Sequence, residues 1–194
     1  LKNYFHEFNE RYVLEDGTRV RSYYSGFRKE KFESTLVGGK KEESHKLIEF
    51  EEIDSIFDKE CADCPAQYAN EEGTPSKKWD NVSTTLRHLD TSKLHYVKVP
   101  ENHIVIDFDI PDENGNKCYE KNLEEASKWP PTYAELSKSG AGIHLHYIYA
   151  GDPTKLSRVY GDHIEVKVFT GNSSLRRKLT KCNNLPIATI GSGL

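Results

Sequence analysis

Three short apolar stretches of this chain carry ionisable residues at alternate positions: Ile104-Val105-Ile106-Asp107-Phe108-Asp109, Ile143-His144-Leu145-His146-Tyr147 and Ile164-Glu165-Val166-Lys167-Val168. Alternate residues of a β-strand point to the same face. Each stretch therefore reads as a strand with an oily back and a charged front. As neighbours in one sheet they would bring Asp107, Asp109, Glu165, His144, His146 and Lys167 to one surface. Carboxylates held close repel one another and call for a cation. Hard divalent ions such as Mg²⁺ take oxygen ligands and bridge to substrate phosphates. Two of them stabilise the attacking and leaving oxygens of a phosphoryl displacement. Asp107, Asp109 and Glu165 are the candidate ligands for such a pair of Mg²⁺ or Mn²⁺ ions, and with His144 the candidate catalytic set. His144 is placed to hydrogen-bond a triphosphate or position a sugar. Lys167, beside Glu165, would neutralise carboxylates or triphosphate. The turn Ser139-Gly140-Ala141-Gly142 could offer backbone N–H groups to phosphate, and Arg176, Arg177 and Lys178 form the densest cationic cluster near the third stretch. Singly, each feature has a plain reading as a solvated strand face, a surface turn or a surface patch. Their order within a short span favours the functional one.

The elements that must position these residues follow from periodicity and punctuation. Asp16-Gly17 between Tyr12-Val13-Leu14 and Arg19-Val20-Arg21 reads as a hairpin turn. Leu47, Ile48, Ile53, Ile56 and Phe57 fall near helical spacing and predict a helix over 46–59. Residues 64–76 read as a loop and 79–89 as a helix. The period then becomes two. Strands are predicted over 94–99, 103–110, 133–138, 143–149 and 163–169, with one short helix over 122–129 stopped by Pro130-Pro131. Grouped strands with few helices predict an α+β domain.

Composition bounds the function classes. With 36% apolar, 30% charged and 11% aromatic residues, the chain is polar but able to build a core, which argues against global disorder. A formal net charge of -4 is unlike a nucleic-acid coating protein, but leaves room for an enzyme with a local basic patch. No apolar run approaches the ~20 residues of a membrane span, and no signal-peptide pattern opens the chain. Four cysteines are too few for a disulfide framework, so a cytoplasmic protein is expected. The sequence contains no Met and reads as a trimmed form of a longer parent.

Val105-Ile106-Asp107-Phe108-Asp109, Ser139-Gly140-Ala141-Gly142-Ile143-His144 and Ile164-Glu165 stand in the order of three motifs of a known family. In them the chain resembles the archaeo-eukaryotic primase superfamily, in the branch of phage and plasmid primase-polymerases. The resemblance spans about residues 95–190. It implies template-directed nucleotidyl transfer with two metal ions on Asp107, Asp109 and Glu165, and nucleotide contacts from Ser139, Gly140 and His144. Lys167, Arg176 and Arg177 join these as expected nucleotide-binding residues, the last two by a looser similarity to a family element. The implied fold is an RRM-like antiparallel or mixed sheet forming the catalytic unit over 91–194, joined to a smaller N-terminal α/β unit over 1–90. The implied partners are a single-stranded DNA template, dNTPs or NTPs, and a replicative helicase in the parent protein or in trans. The implied setting is the cytoplasm of a bacterial host, with no membrane partner. The third acid is Glu where many members have Asp, which keeps the charge and lengthens the reach.

Two other classes compete. His144-Leu145-His146 also fits the His-hydrophobic-His pattern of rolling-circle endonucleases and relaxases, with Tyr160 as the available nucleophile. A non-catalytic single-stranded nucleic-acid-binding module could use Tyr23, Tyr24 and Phe27 for stacking, with Arg19, Arg21, Arg28, Lys29 and Lys31 for phosphates. Cys61-x-x-Cys64 is half of a zinc pattern with partners among Cys118, Cys182, His88 and His95, but no second half completes it, so zinc is not expected.

Overall fold

A computed structural model describes residues 46–191 and the strand backbones 11–13 and 19–21. Those two strands, β1 (Arg11–Val13) and β2 (Arg19–Arg21), pair antiparallel with Tyr12 opposite Val20, as the hairpin reading requires. The Asp16-Gly17 turn and the run from Tyr23 to Lys31 lie outside the described residues.

The chain is α+β, with mostly antiparallel sheets and few helices. The elements are α1 (Ile56–Glu60), β3 (Ala66–Tyr68), β4 (His95–Val97), β5 (His103–Phe108), α2 (Tyr119–Ser127), β6 (Ala134–Leu136), β7 (Ile143–Tyr149), β8 (Val159–Gly161), β9 (Ile164–Val168), β10 (Leu175–Arg177) and β11 (Ala188–Ile190), with three short 3₁₀ turns. The larger sheet runs β11-β7-β5-β9-β8. Among the described residues, only β11 is parallel to its neighbour. One edge of β7 is shared: β6 pairs with Ile143–Leu145, and β11 with Tyr147–Tyr149. The smaller sheet, β10-β4-β3, is antiparallel. It joins a strand from the first ninety residues to two from the remainder, so position 90 does not divide the sheets.

The alternating pattern produces two apolar layers. On the back of the large sheet, Ile104, Ile106, Phe108, Ile143, Leu145, Tyr147 and Val166 pack with Ala126 of α2 and with Trp129. On the front, α1 and the small sheet cover one half. Phe57, Val97, Tyr133 and Leu175 close over Val105 there. The other half of the front, around Asp107, stays open.

Two predicted helices differ from what forms. Over 46–59 only Ile56–Glu60 is α-helical. Glu52 exchanges backbone hydrogen bonds with Cys182, which holds the preceding residues extended. Helix begins after Ser55, whose Oγ accepts from the Asp58 N–H. Over 79–89 there are two 3₁₀ turns, because the Thr84 carbonyl and the Leu86 N–H bond back to Ala66 and Cys64. Tertiary pairing overrode local period in both places. Among the described residues, no helix is long and apolar enough to cross a membrane.

Candidate active site

The register decides which charged residues meet. Asp107 of β5 stands directly opposite His144 of β7 on one side and Glu165 of β9 on the other. Directly opposite residues have Cβ atoms about 4.5–5.5 Å apart. The three strands therefore place the acid of the first motif, the histidine of the second and the acid of the third in one row. Pairing continues beyond β5, since the Asp109 N–H donates to the His163 carbonyl at 2.9 Å, and Asp109 stands exposed at the rim. Glu165 is exposed as well.

Asp107 is the buried member of the row, with 16% of its side chain exposed. His144 Nε2 lies 3.1 Å from Oδ1, and Lys167 Nζ lies 2.7 Å from Oδ2. Burial alone would push this carboxyl up. The His144 hydrogen bond and charge and the Lys167 ion pair outweigh it and bring the pKa down to about 2. Lys167 thus supplies positive charge to Asp107.

The turn between β6 and β7 sits against this row for a steric reason. Gly140 has φ +77°, a left-handed conformation that glycine adopts without penalty. A Cβ on Gly142 would lie 3.1 Å from the Phe108 carbonyl oxygen and 2.8 Å from Ser137 Oγ, so only glycine lets the turn close on the end of β5. The Gly140 N–H donates to the Ser137 carbonyl, the Ala141 N–H to Ser139 Oγ and the Gly142 N–H to Ser137 Oγ. Those three donors are engaged within the turn. Ser139 and Gly140 are themselves exposed, and Ser139 Oγ lies 3.0 Å from Ser137 Oγ.

Beside the row lies a cavity of about 190 Å³ whose lining includes the cations Lys138, Lys167, Arg176, Arg177 and Lys178 together with His144 and Glu135. Arg176 is exposed. Arg177 has another task. Its side chain is 2% exposed, and its Nε and Nη2 donate to both oxygens of Glu135 at 2.6–3.0 Å. Its Nη1 lies 2.6 Å from Asp58 Oδ1, and its guanidinium lies 4.5 Å from the Phe57 ring centroid. The side chain joins the small sheet and α1 to β6, and its donors are engaged with Glu135 and Asp58.

His144 and His146 do share the front face, but they do different things. His146 is fully buried under α1, with Nδ1 2.9 Å from His103 Nε2 and rings of Phe57 and Tyr133 edge-on to it. Burial lowers the pKa of both histidines, His103 to about 3. His144-Leu145-His146 is therefore one open histidine and one core histidine. Tyr160 packs 4.8 Å from Trp129, which contacts Phe108 and Tyr147 on the back of the sheet, away from His144.

No protein-family model matches this chain, and no curated protein matches it.

Sequence reasoning missed Glu135 and Asn122. Glu135 stands opposite His144 in β6, fully buried. Burial pushes its carboxyl up, but Arg177, with help from His146 Nε2 3.7 Å away, holds it well below the usual range. Asn122 of α2 accepts from the Ile110 N–H at 2.8 Å and donates to the carbonyls of Cys118 and Ala141 at 3.0 and 2.9 Å. It ties the acid-bearing strand end to the Ser-Gly-Ala-Gly turn. A polar residue in the middle of a short amphipathic helix was the available signal. Among the described residues, no three His, Cys, Asp or Glu side chains are gathered closely enough to hold a metal ion.

Proposed function

We propose that this chain is the catalytic core of a DNA primase-polymerase that transfers nucleotides from dNTPs or NTPs onto a 3′-hydroxyl on a single-stranded DNA template. The observation that carries the reading is the register. Asp107, His144 and Glu165 come from three motifs far apart in sequence and stand side by side on one open sheet face. The cationic cavity beside them has the charge that a triphosphate needs. The strand path β9-β5-β7-β6, all antiparallel neighbours, with α2 between β5 and β6, supports an RRM-like reading of the catalytic unit.

The donor set suits hard cations. Asp109, two residues further along the chain, and Glu165, on the neighbouring strand, are exposed carboxylates near Asp107, which needs Lys167 to move off Oδ2 to become a ligand. Mg²⁺ or Mn²⁺ bound by these three acids would activate the attacking hydroxyl and neutralise charge on the α-phosphate and the leaving pyrophosphate. The chain's own residues do the rest. Lys138, Lys167, Arg176 and Lys178 bind the triphosphate as point charges and donors. His144 donates from the same row and orients the nucleotide. Ser139, exposed at the turn, lies within reach of the same group. A replicative helicase, in the parent protein or in trans, would supply the unwound template.

The test is incorporation of labelled dNTPs and NTPs on primed and unprimed single-stranded templates with Mg²⁺ or Mn²⁺. Metal-dependent product that disappears in Asp107→Ala/Asp109→Ala establishes nucleotidyl transfer, and product without a primer makes the enzyme a primase. Folded protein that incorporates nothing with either metal refutes the proposal.

A further inference from the structure

Cys61-Ala62-Asp63-Cys64 is a tight turn at the C-terminus of α1, and Cys61, Ala62 and Cys64 are pinned by backbone hydrogen bonds. The Cys61 N–H donates to the Phe57 carbonyl and the Cys64 N–H to the Cys61 carbonyl, both at 2.9 Å. From outside the turn, the Arg87 N–H donates to the Ala62 carbonyl and the Leu86 N–H to the Cys64 carbonyl, each at 3.0 Å. The i→i+3 bond brings the two cysteine Cα atoms within about 7 Å, the upper end of the span a disulfide bridges. Their exposures differ: Cys61 is buried and Cys64 half-buried. Both are free thiols, as are Cys118 and Cys182.

We propose that Cys61 and Cys64 form a thiol–disulfide exchange site that reacts with a low-molecular-weight disulfide, with Cys64 as the attacking sulfur and Cys61 as the resolving one. The neighbouring Cys61 thiol brings the Cys64 thiol down to about 7, against the opposing effects of burial and Asp63, while Cys61 is pushed up by Cys64 and by burial. Asp63 is partly neutralised by its ion pair with Arg87. A thiol with a pKa near ambient pH is the most effective attacker in exchange. The Cys64 thiolate displaces RS⁻ from RSSR and forms a mixed disulfide. Cys61 then attacks Cys64 Sγ, its proton going to the second departing RS⁻. The pair loses two electrons, and one RSSR becomes two thiols once the first RS⁻ takes up the proton that Cys64 released. The turn is held by backbone hydrogen bonds to residues 57 and 86–87. This inference does not depend on the polymerase reading, and its readout is independent of nucleotide incorporation.

The full chain is equilibrated in reduced and oxidised glutathione at a series of ratios, quenched by alkylation, and mapped by peptide mass spectrometry, with circular dichroism to verify the fold. The expected result is a Cys61–Cys64 disulfide in native protein, half-formed at an intermediate glutathione ratio. In Cys61→Ser, glutathione should accumulate on Cys64, and in Cys64→Ser the reaction at this turn should be lost. Folded protein with both cysteines still alkylated in oxidised glutathione overturns the proposal. So does a disulfide that forms only in denaturant, or glutathione arriving on Cys118 as readily as on Cys64. Stoichiometric zinc retained by the pair and blocking exchange would also overturn it.

Discussion

Replacing Arg177 by Met leaves the Glu135 carboxylate fully buried without its cation. Glu135 and Arg177 side chains are each 2% exposed, and three guanidinium–carboxylate hydrogen bonds of 2.6–3.0 Å connect them. Removing one partner of a buried pair costs about 3–5 kcal/mol, because the remaining charge stays desolvated. At about 2–4 °C per kcal/mol for a chain of this size, Tm should fall by roughly 6–20 °C. Glu135→Leu should cost a similar amount. The double substitution Glu135→Leu/Arg177→Met removes both charges and keeps the volume, so it should recover at least half of the larger single loss. Asp58, 26% exposed and accepting from Thr91 Oγ1 at 2.6 Å, can rehydrate when Arg177 is gone. Urea unfolding of the four proteins, followed by circular dichroism and tryptophan fluorescence, gives the cycle. A double variant that loses the sum of the two singles would show that the charges are not coupled, and the account of this junction would fail.

Asn122→Ala leaves the Ile110 N–H and the Ala141 carbonyl without this partner, and should cost about 2–6 kcal/mol at about 1–3 kcal/mol for each of the two stranded groups. Incorporation should fall beyond what the unfolded fraction explains, because the acid pair and the glycine turn lose their common tether. Gly142→Ala should destabilise by about 1–3 kcal/mol through contact with the Phe108 carbonyl. A crystal structure of this variant should show the turn displaced from β5, and an unmoved turn at full stability would refute the packing argument. Asp107 has a folded pKa of about 2, below its unfolded value, so its contribution is complete above the unfolded carboxylate range and is lost as pH falls through about 4 to 2. Stability of wild type and Asp107→Asn compared from pH 6 to pH 2 should converge at the acid end by at most about 2 kcal/mol, and parallel curves would rule out the ion-paired state of Asp107. Lys167→Met should raise the Asp107 pKa measured by carboxyl carbon NMR, and an unchanged titration would remove Lys167 as the neutralising cation.

The alternating patterns around Asp107, His144 and Glu165 determined a great deal. Period two with an apolar back fixes strands and faces without knowledge of any partner, and β5, β7 and β9 formed where that pattern lies. The Ser-Gly-Ala-Gly turn and Pro130-Pro131 were legible for the same reason, since glycine and proline act through local backbone sterics. Tertiary structure alone decided which front-face residues stay in water. His144 and His146 are equivalent in the pattern, yet α1 and the small sheet cover only His146. Arg176 and Arg177 are adjacent and identical in type, yet strand alternation in β10 turns one outward and buries the other against Glu135. The predicted helix over 46–59 gave way to an extended segment because Cys182, far away in sequence, supplies its hydrogen bonds. Local sterics are written in neighbouring residues. Desolvation and ion pairing depend on which distant segment packs on top, and only the folded chain brings those segments together.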